Sequence, residues 1–122
     1  MSIPYSIWLG NVRLIVEAFA SPAFQREAWT GGITSSFGSP DEMMCVYFDD
    51  VLVPDFIKEN SDEIGEECAT AGVVLTSLLD NFPWPMDGEF ISAEVLLNMP
   101  QWVNVCKVAS IFLRCLPISE AA

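Results

Sequence analysis

The chain has 122 residues, of which 52% are hydrophobic and 11% aromatic, with five basic residues, seventeen acids and no histidine. This size and composition are typical of one folded domain with an apolar core, and they exclude a disordered chain. The net charge of −12 excludes a basic nucleic-acid-binding face, and the lack of histidine excludes Ser-His-Asp triads, Cys-His dyads and histidine metal sites.

The N-terminal residues predict two helices and a loop. The first helix carries apolar residues at spacings of three and four, namely Trp8, Val12, Ile15, Val16 and Phe19. A second helix should begin after Ser21, which can cap it, with Pro22 at the first helical position. The next segment, residues 30–39, has two adjacent glycines and several Ser and Thr residues, which predicts a loop.

Residues 39–53 are compatible with two structures. Ser39 and Glu42 have the spacing of a capping box, and Pro40 fits a first helical turn, so a helix is favoured. The alternative is a β-hairpin with Asp49 and Asp50 at its turn, although Asp-Gly or Asn-Gly is preferred there. Residues 43–53 therefore remain open between helix and strand.

The longest predicted helix runs from about Asp62 to Asn81. Its apolar face comprises Ile64, Cys68, Ala71, Leu75, Leu78, Leu79 and Phe82. Its polar face comprises Glu63, Glu66, Glu67, Thr70, Ser77 and Asp80. The Pro-rich loop that follows places Trp84 between two prolines, where the backbone is stiff and extended.

The C-terminal residues predict a short helix that Ser92 opens and Pro100 ends, followed by a last helix from Gln101 to Leu116. This last helix is apolar almost all round, which predicts a central position with partners on more than one face. We therefore predict an all-α fold, a compact single-domain bundle of about five or six helices that spans residues 1–122.

The cysteines and the apolar segments indicate the compartment. Cys45, Cys68, Cys106 and Cys115 form no CxxC pair, so we expect free, buried thiols and no zinc site. No segment has the roughly 20 mostly apolar residues of a transmembrane helix, and the N-terminus lacks the features of a signal peptide. These observations predict a cytoplasmic protein that is not bound to a membrane.

Acidic residues are concentrated in the middle of the chain. Between residues 41 and 94 there are fourteen acids and a single base, Lys58. The densest group, which we call the acidic octet, comprises Asp49, Asp50, Asp55, Glu59, Asp62, Glu63, Glu66 and Glu67. Such a field repels nucleic acid and anionic membranes, and it attracts basic proteins.

The acidic octet has several alternative interpretations. Glu63, Glu66 and Glu67 resemble the ExxE pattern of all-α nucleotide pyrophosphohydrolases, in which two helices supply carboxylates to Mg²⁺. The second carboxylate motif and a phosphate-binding cluster of bases are missing, so we expect no metal or other cofactor. Asp49 and Asp50 point about 100° apart on a helix, which does not favour an acid/base pair. Solubility alone is a further alternative.

Recognition of a protein partner is the interpretation that we favour. The acids alternate with bulky groups, and interfaces combine aromatic anchors with a polar, charged rim. We expect the acidic octet to pair with Lys and Arg of a basic partner, with Tyr47 and Trp84 as anchors. A homo-oligomer that covers apolar surface is the other alternative, because the mean hydropathy is high, at +0.38.

The acidic segment from Asp41 to Glu67, in a small chain without histidine, resembles bacterial toxin–immunity proteins, most of all those of contact-dependent growth inhibition. The resemblance implies a non-enzymatic protein that neutralises a cognate toxin, in many cases a nuclease with a basic substrate-binding surface. It implies occlusion of that surface by the acidic segment, and it transfers no individual functional residue.

Overall fold

The computed structural model describes residues 4–30, 39–83 and 93–118, and every regular element among them is helical. The elements are α1 Tyr5–Ala20, α2 Pro22–Thr30, α3 Pro40–Cys45, the π-helix Val46–Asp50, α4 Val53–Glu59, α5 Ser61–Ile64, α6 Glu66–Asp80, α7 Ala93–Asn98 and α8 Pro100–Cys115. The predicted all-α fold class is confirmed, with five helices of seven or more residues and shorter ones between them.

The two N-terminal helices form as their sequence predicts. The apolar stripe of α1 is buried along its whole length, and α2 begins after Ser21, whose Oγ accepts a hydrogen bond from the Phe24 N–H at 3.2 Å. Of the predicted loop at residues 30–39, Thr30 ends α2 and Ser39 caps α3, and residues 31–38 lie outside the described residues, as do Trp84 and Ser92.

Residues 40–50 are helical and Val53 begins α4, so the hairpin alternative is wrong. The Ser39 Oγ accepts a hydrogen bond from the Glu42 N–H at 3.1 Å, and Pro40 begins α3. The helix then widens into the π-helix, and the Val51 N–H donates to the Val46 carbonyl, five residues back, at 2.8 Å.

The predicted helix from Asp62 to Asn81 is instead two helices, because the helical conformation is interrupted at Gly65. Gly65 has a φ of 90°, which an α-helix cannot contain and which glycine adopts at little cost. The apolar residues Ile64 and Cys68 on either side of the break are nevertheless buried, so the predicted inward face persists across it.

α8 lies at the centre of the fold and packs against α1 and α6, as its apolar surface predicts. At Gly72 of α6, a Cβ atom would lie 2.8 Å from Cζ of Phe112 on α8 and 2.6 Å from Cδ1 of Ile57 on α4. The absence of a side chain at Gly72 therefore sets the spacing of these helices. Val103 and Ile111 of α8 remain exposed.

Gln25 joins three parts of the core, and sequence reasoning did not identify it. Its Nε2 donates to the carbonyls of Ala18 and Phe19, both at 2.9 Å, in the last turn of α1. Its Oε1 accepts from Nε1 of Trp102 at 2.9 Å and from the Cys106 thiol at 3.7 Å. Gln25 has no exposed surface, and these bonds satisfy the hydrogen-bonding groups of its amide. They also satisfy two backbone carbonyls that would otherwise be unpaired at the end of α1.

The four cysteines are free, but only two of them are buried. Cys68 and Cys106 are in the core, whereas Cys45 and Cys115 are exposed, so the expectation of four buried thiols is wrong. Burial raises the pKa of the Cys68 thiol to about 11, with a smaller contribution from nearby Cys115. Burial likewise raises the pKa of Cys106 to about 11, although the hydrogen bond to Gln25 opposes this shift.

Candidate surface for a partner

All eight side chains of the acidic octet are exposed to solvent. Asp49 and Asp50 end the π-helix, Asp55 and Glu59 are on α4, and the remaining four are on α5 and α6. These elements pack against one another in chain order, and α4 also contacts α6, so the eight acids belong to one continuous block of helices. Lys58 is the single base in this segment.

Several of these acids also have a local structural role. Asp55 lies in the first turn of α4, Asp62 and Glu63 in that of α5, and Glu66 and Glu67 in that of α6. A carboxylate near a helix N-terminus interacts favourably with the helix dipole, by about 0.3–1 kcal/mol. Five of the eight acids therefore favour helix formation while their side chains face solvent.

The segment that carries Asp49 and Asp50 has an unusual backbone. Leu52 has a φ of 57°, in the left-handed region that residues other than glycine rarely adopt. Nε1 of Trp8 on α1 donates a hydrogen bond of 2.6 Å to the Val51 carbonyl beside it. The bond ties the end of the π-helix to the core, which fixes the position of the two aspartates.

The break at Gly65 separates the carboxylates that resemble an ExxE motif. Glu63 is on α5, whereas Glu66 and Glu67 begin α6, so they do not share one continuous helix. Across residues 4–30, 39–83 and 93–118, no three acidic or cysteine side chains come together as metal ligands would. The eight carboxylates are exposed and spread over four helical elements, which suits contacts with several cations of a partner better than chelation of one ion.

Tyr47 is not on the surface, so its expected role as an anchor for a partner is wrong. Its side chain is completely buried, and its ring packs edge-on against Phe19 and Phe48. Its hydroxyl shares a hydrogen bond of 2.8 Å with Oγ1 of Thr76 on α6, and burial raises its pKa. Tyr47 thus attaches the π-helix to α6, and Trp84, the other expected anchor, lies outside the described residues.

Exposed apolar side chains that the sequence analysis did not select lie beside the acids. Val73 and Val74 of α6 are 55% and 44% exposed, on the face opposite the core. A cleft of about 580 Å³ extends from these valines to Asp62 and Glu66. The sequence indicates this exposed pair only by its position, since Val73 and Val74 lie outside the apolar stripe of the predicted helix.

No family model, curated protein or solved structure matches this chain. Within the described ranges, no helix has both the length and the apolar character needed to cross a membrane.

Proposed function

We propose that this protein is a non-catalytic binding protein that neutralises a basic protein partner. By its resemblance to the immunity proteins of contact-dependent growth inhibition, the partner is a toxin, with a nuclease domain as the first candidate. The protein would then work by occlusion, because the acidic octet would cover the basic surface with which the toxin holds RNA or DNA.

One observation carries this proposal: the eight acids are exposed on adjoining helices and are not neutralised within the described residues. The ion pair found there joins Arg26 to Glu94, at 3.8 Å, and involves none of the eight. Like charges placed close together repel one another, so a surface of this kind gains from an approaching cation. Solubility requires an excess of charge, but it does not require fourteen of the seventeen acids to lie in one part of the chain.

The electrostatic field determines how such a partner would bind. Attraction between an acidic and a basic surface raises the association rate, and salt screens it over a Debye length of about 8 Å at physiological ionic strength. We therefore expect fast association that slows steeply as salt is added. The exposed free thiols of Cys45 and Cys115 support action in the reducing cytoplasm, where a nuclease toxin would have its substrates.

The proposal is tested by capture of a partner from an extract of the source organism, with elution along a salt gradient. We expect one basic polypeptide at high salt, whose nuclease activity is lost when the protein is added in equimolar amount. Elution of no such polypeptide, or of one whose activity is unaffected by the protein, would contradict the proposal.

Two charge-reversal variants then identify the surface. Glu63→Lys with Glu67→Lys changes the acidic octet, and Glu17→Lys with Glu27→Lys makes the same change in net charge at exposed positions of α1 and α2. We expect the first pair to slow association with the captured polypeptide by about tenfold, and the control pair to slow it by less than about twofold. Equal effects of the two pairs would show that only the overall charge matters.

A further inference from the structure

The outward face of α6 carries a groove with an apolar centre. The cleft that reaches Asp62 and Glu66 meets a second one, of about 350 Å³, at Val73 and Val74. The second cleft continues along α6 to Leu78. The two clefts together follow the helix over most of its length, and the two exposed valines lie where they join.

Acids lie before and after this apolar centre along α6. Glu66 lies two turns before Val73 and Val74 on α6 and lines the groove, as Asp62 does just beyond the end of the helix. Asp80 lines neither cleft, but it is exposed seven residues after Val73, which is two turns and therefore the same side of the helix. The span from Glu66 to Asp80 is about 21 Å at 1.5 Å per residue. Neither cleft is lined by a Lys or Arg residue among the described parts of the chain.

A second copy of the protein fits this surface poorly. In a symmetric dimer the same patch meets itself, so the acids at one end would oppose acids of the other copy. Each chain also carries a net charge of −12. Repulsion between like charges at an interface disfavours such a dimer. A partner segment with apolar residues between two cationic ends would instead be complementary to this groove.

We propose that the α6 groove binds a basic amphipathic helix of the protein partner. This inference rests on the proposed function and specifies the binding element within it. Three to four turns of helix span 21 Å, so Lys or Arg at the two ends would meet Glu66 and Asp80 while Leu, Ile or Met side chains cover the valines. The valines supply the apolar centre of the interface, and the acids supply its charged rim.

The probe for this inference is a synthetic 18-residue peptide of Lys and Leu with helical periodicity, labelled with a fluorophore. A peptide of the same composition in scrambled order has the same charge without an apolar face. We expect the periodic peptide to bind at least about tenfold more tightly than the scrambled one, as measured by fluorescence anisotropy.

Paired variants test whether the valines are the site. Val73→Ser with Val74→Ser should weaken binding of the periodic peptide by about tenfold. Ile7→Ser with Leu14→Ser is the matched control, because these side chains of α1 are 57% and 59% exposed and line neither cleft. The control pair should change binding by less than about twofold. Equal losses in the two pairs, or equal binding of the two peptides, would overturn the inference.

Two further outcomes separate this inference from the proposed function. If the valine pair binds the captured partner like the wild type while the Glu63 and Glu67 reversals weaken it, the groove inference fails and the proposed function stands. Light scattering gives the other outcome. A wild-type dimer that the valine pair converts to monomer would show that a second copy covers the groove, and this would also overturn the inference.

Discussion

The inward face of α6 packs Cys68, Gly72, Leu75 and Leu79 against neighbouring helices, whereas its outward face exposes Val73 and Val74 between acids. Both faces contain apolar residues, so hydropathy alone does not separate them. They differ in their neighbours, because α4 and α8 cover one face and nothing in the described structure covers the other. An apolar residue therefore indicates a core only where another element lies against it, and elsewhere it is available to a partner.

The largest expected effect is the loss of stability when a side chain on the inward face of α6 is shortened, compared with its neighbour on the outward face. Leu75 has no exposed surface, and Leu75→Ala should lower the free energy of unfolding by about 2–5 kcal/mol, through lost burial and a cavity. The matched control, Val74→Ala, is next in sequence and 44% exposed, so it should change stability by about 0.5 kcal/mol or less. Urea unfolding measures both, and similar losses would show that the outward face is covered in the isolated protein.

A smaller effect is expected where α4 and α8 approach α6. Gly72→Ala adds a methyl group 2.6 Å from Ile57 and 2.8 Å from Phe112. Overpacking of about 1–3 kcal/mol opposes the gain of about 1 kcal/mol in helix propensity, so we expect a net destabilisation of up to about 2 kcal/mol. Gly10→Ala on α1 is the control, because nothing lies within 4 Å of its added Cβ. There the better helix propensity of alanine should stabilise the protein by about 1 kcal/mol. Thermal unfolding that gives the same sign for both variants would contradict this packing.

The smallest expected effect concerns the four cysteines, of which two are buried and two are exposed. In the folded protein at neutral pH, a thiol reagent should modify the exposed Cys45 and Cys115 quickly, and Cys68 and Cys106 only as the chain unfolds. Because the folded state raises the pKa of both buried thiols to about 11, it favours their protonated form. Their stabilising contribution is complete below about pH 9 and is lost as the pH rises towards 11.

Two measurements check this expectation. Peptide mapping after brief modification identifies the fast thiols, and urea unfolding at pH 8 and pH 10 should give the lower stability at pH 10. Replacing both buried cysteines with alanine should reduce the difference between the two pH values. Fast modification of all four thiols would contradict the burial of Cys68 and Cys106.

Local chemistry made several elements predictable. The cap at Ser39 and the proline at position 40 predicted the start of α3, and the spacing of Trp8, Val12 and Ile15 predicted the buried side of α1. These features depend on neighbours within one or two turns, so the sequence contains all the information that they need. The exposure of the acidic octet follows in the same way, since unpaired carboxylates are rarely buried.

Other features depended on residues far apart in the chain. Gly65 was compatible with a continuous helix, because glycine costs only about 1 kcal/mol there, whereas in the folded chain its φ of 90° interrupts the helix. Tyr47 has an amphipathic side chain that suits an interface or a core, and its bond to Thr76 on α6 makes it a core residue. Gln25 is likewise a core residue because of distant partners. Its hydrogen-bond partners on α1 and α8 are separated from one another by more than 80 residues.

The sequence by itself determined the helical class, the main apolar faces and the acidic character of the central segment, because periodicity, caps and charge are local properties. The tertiary structure decided which apolar residues remain uncovered, which tyrosine is buried and where the long helix breaks. The first two depend on whether another helix occupies the adjacent space, and that is set by packing across the whole chain. The third depends on the φ of 90° that Gly65 adopts in the folded chain.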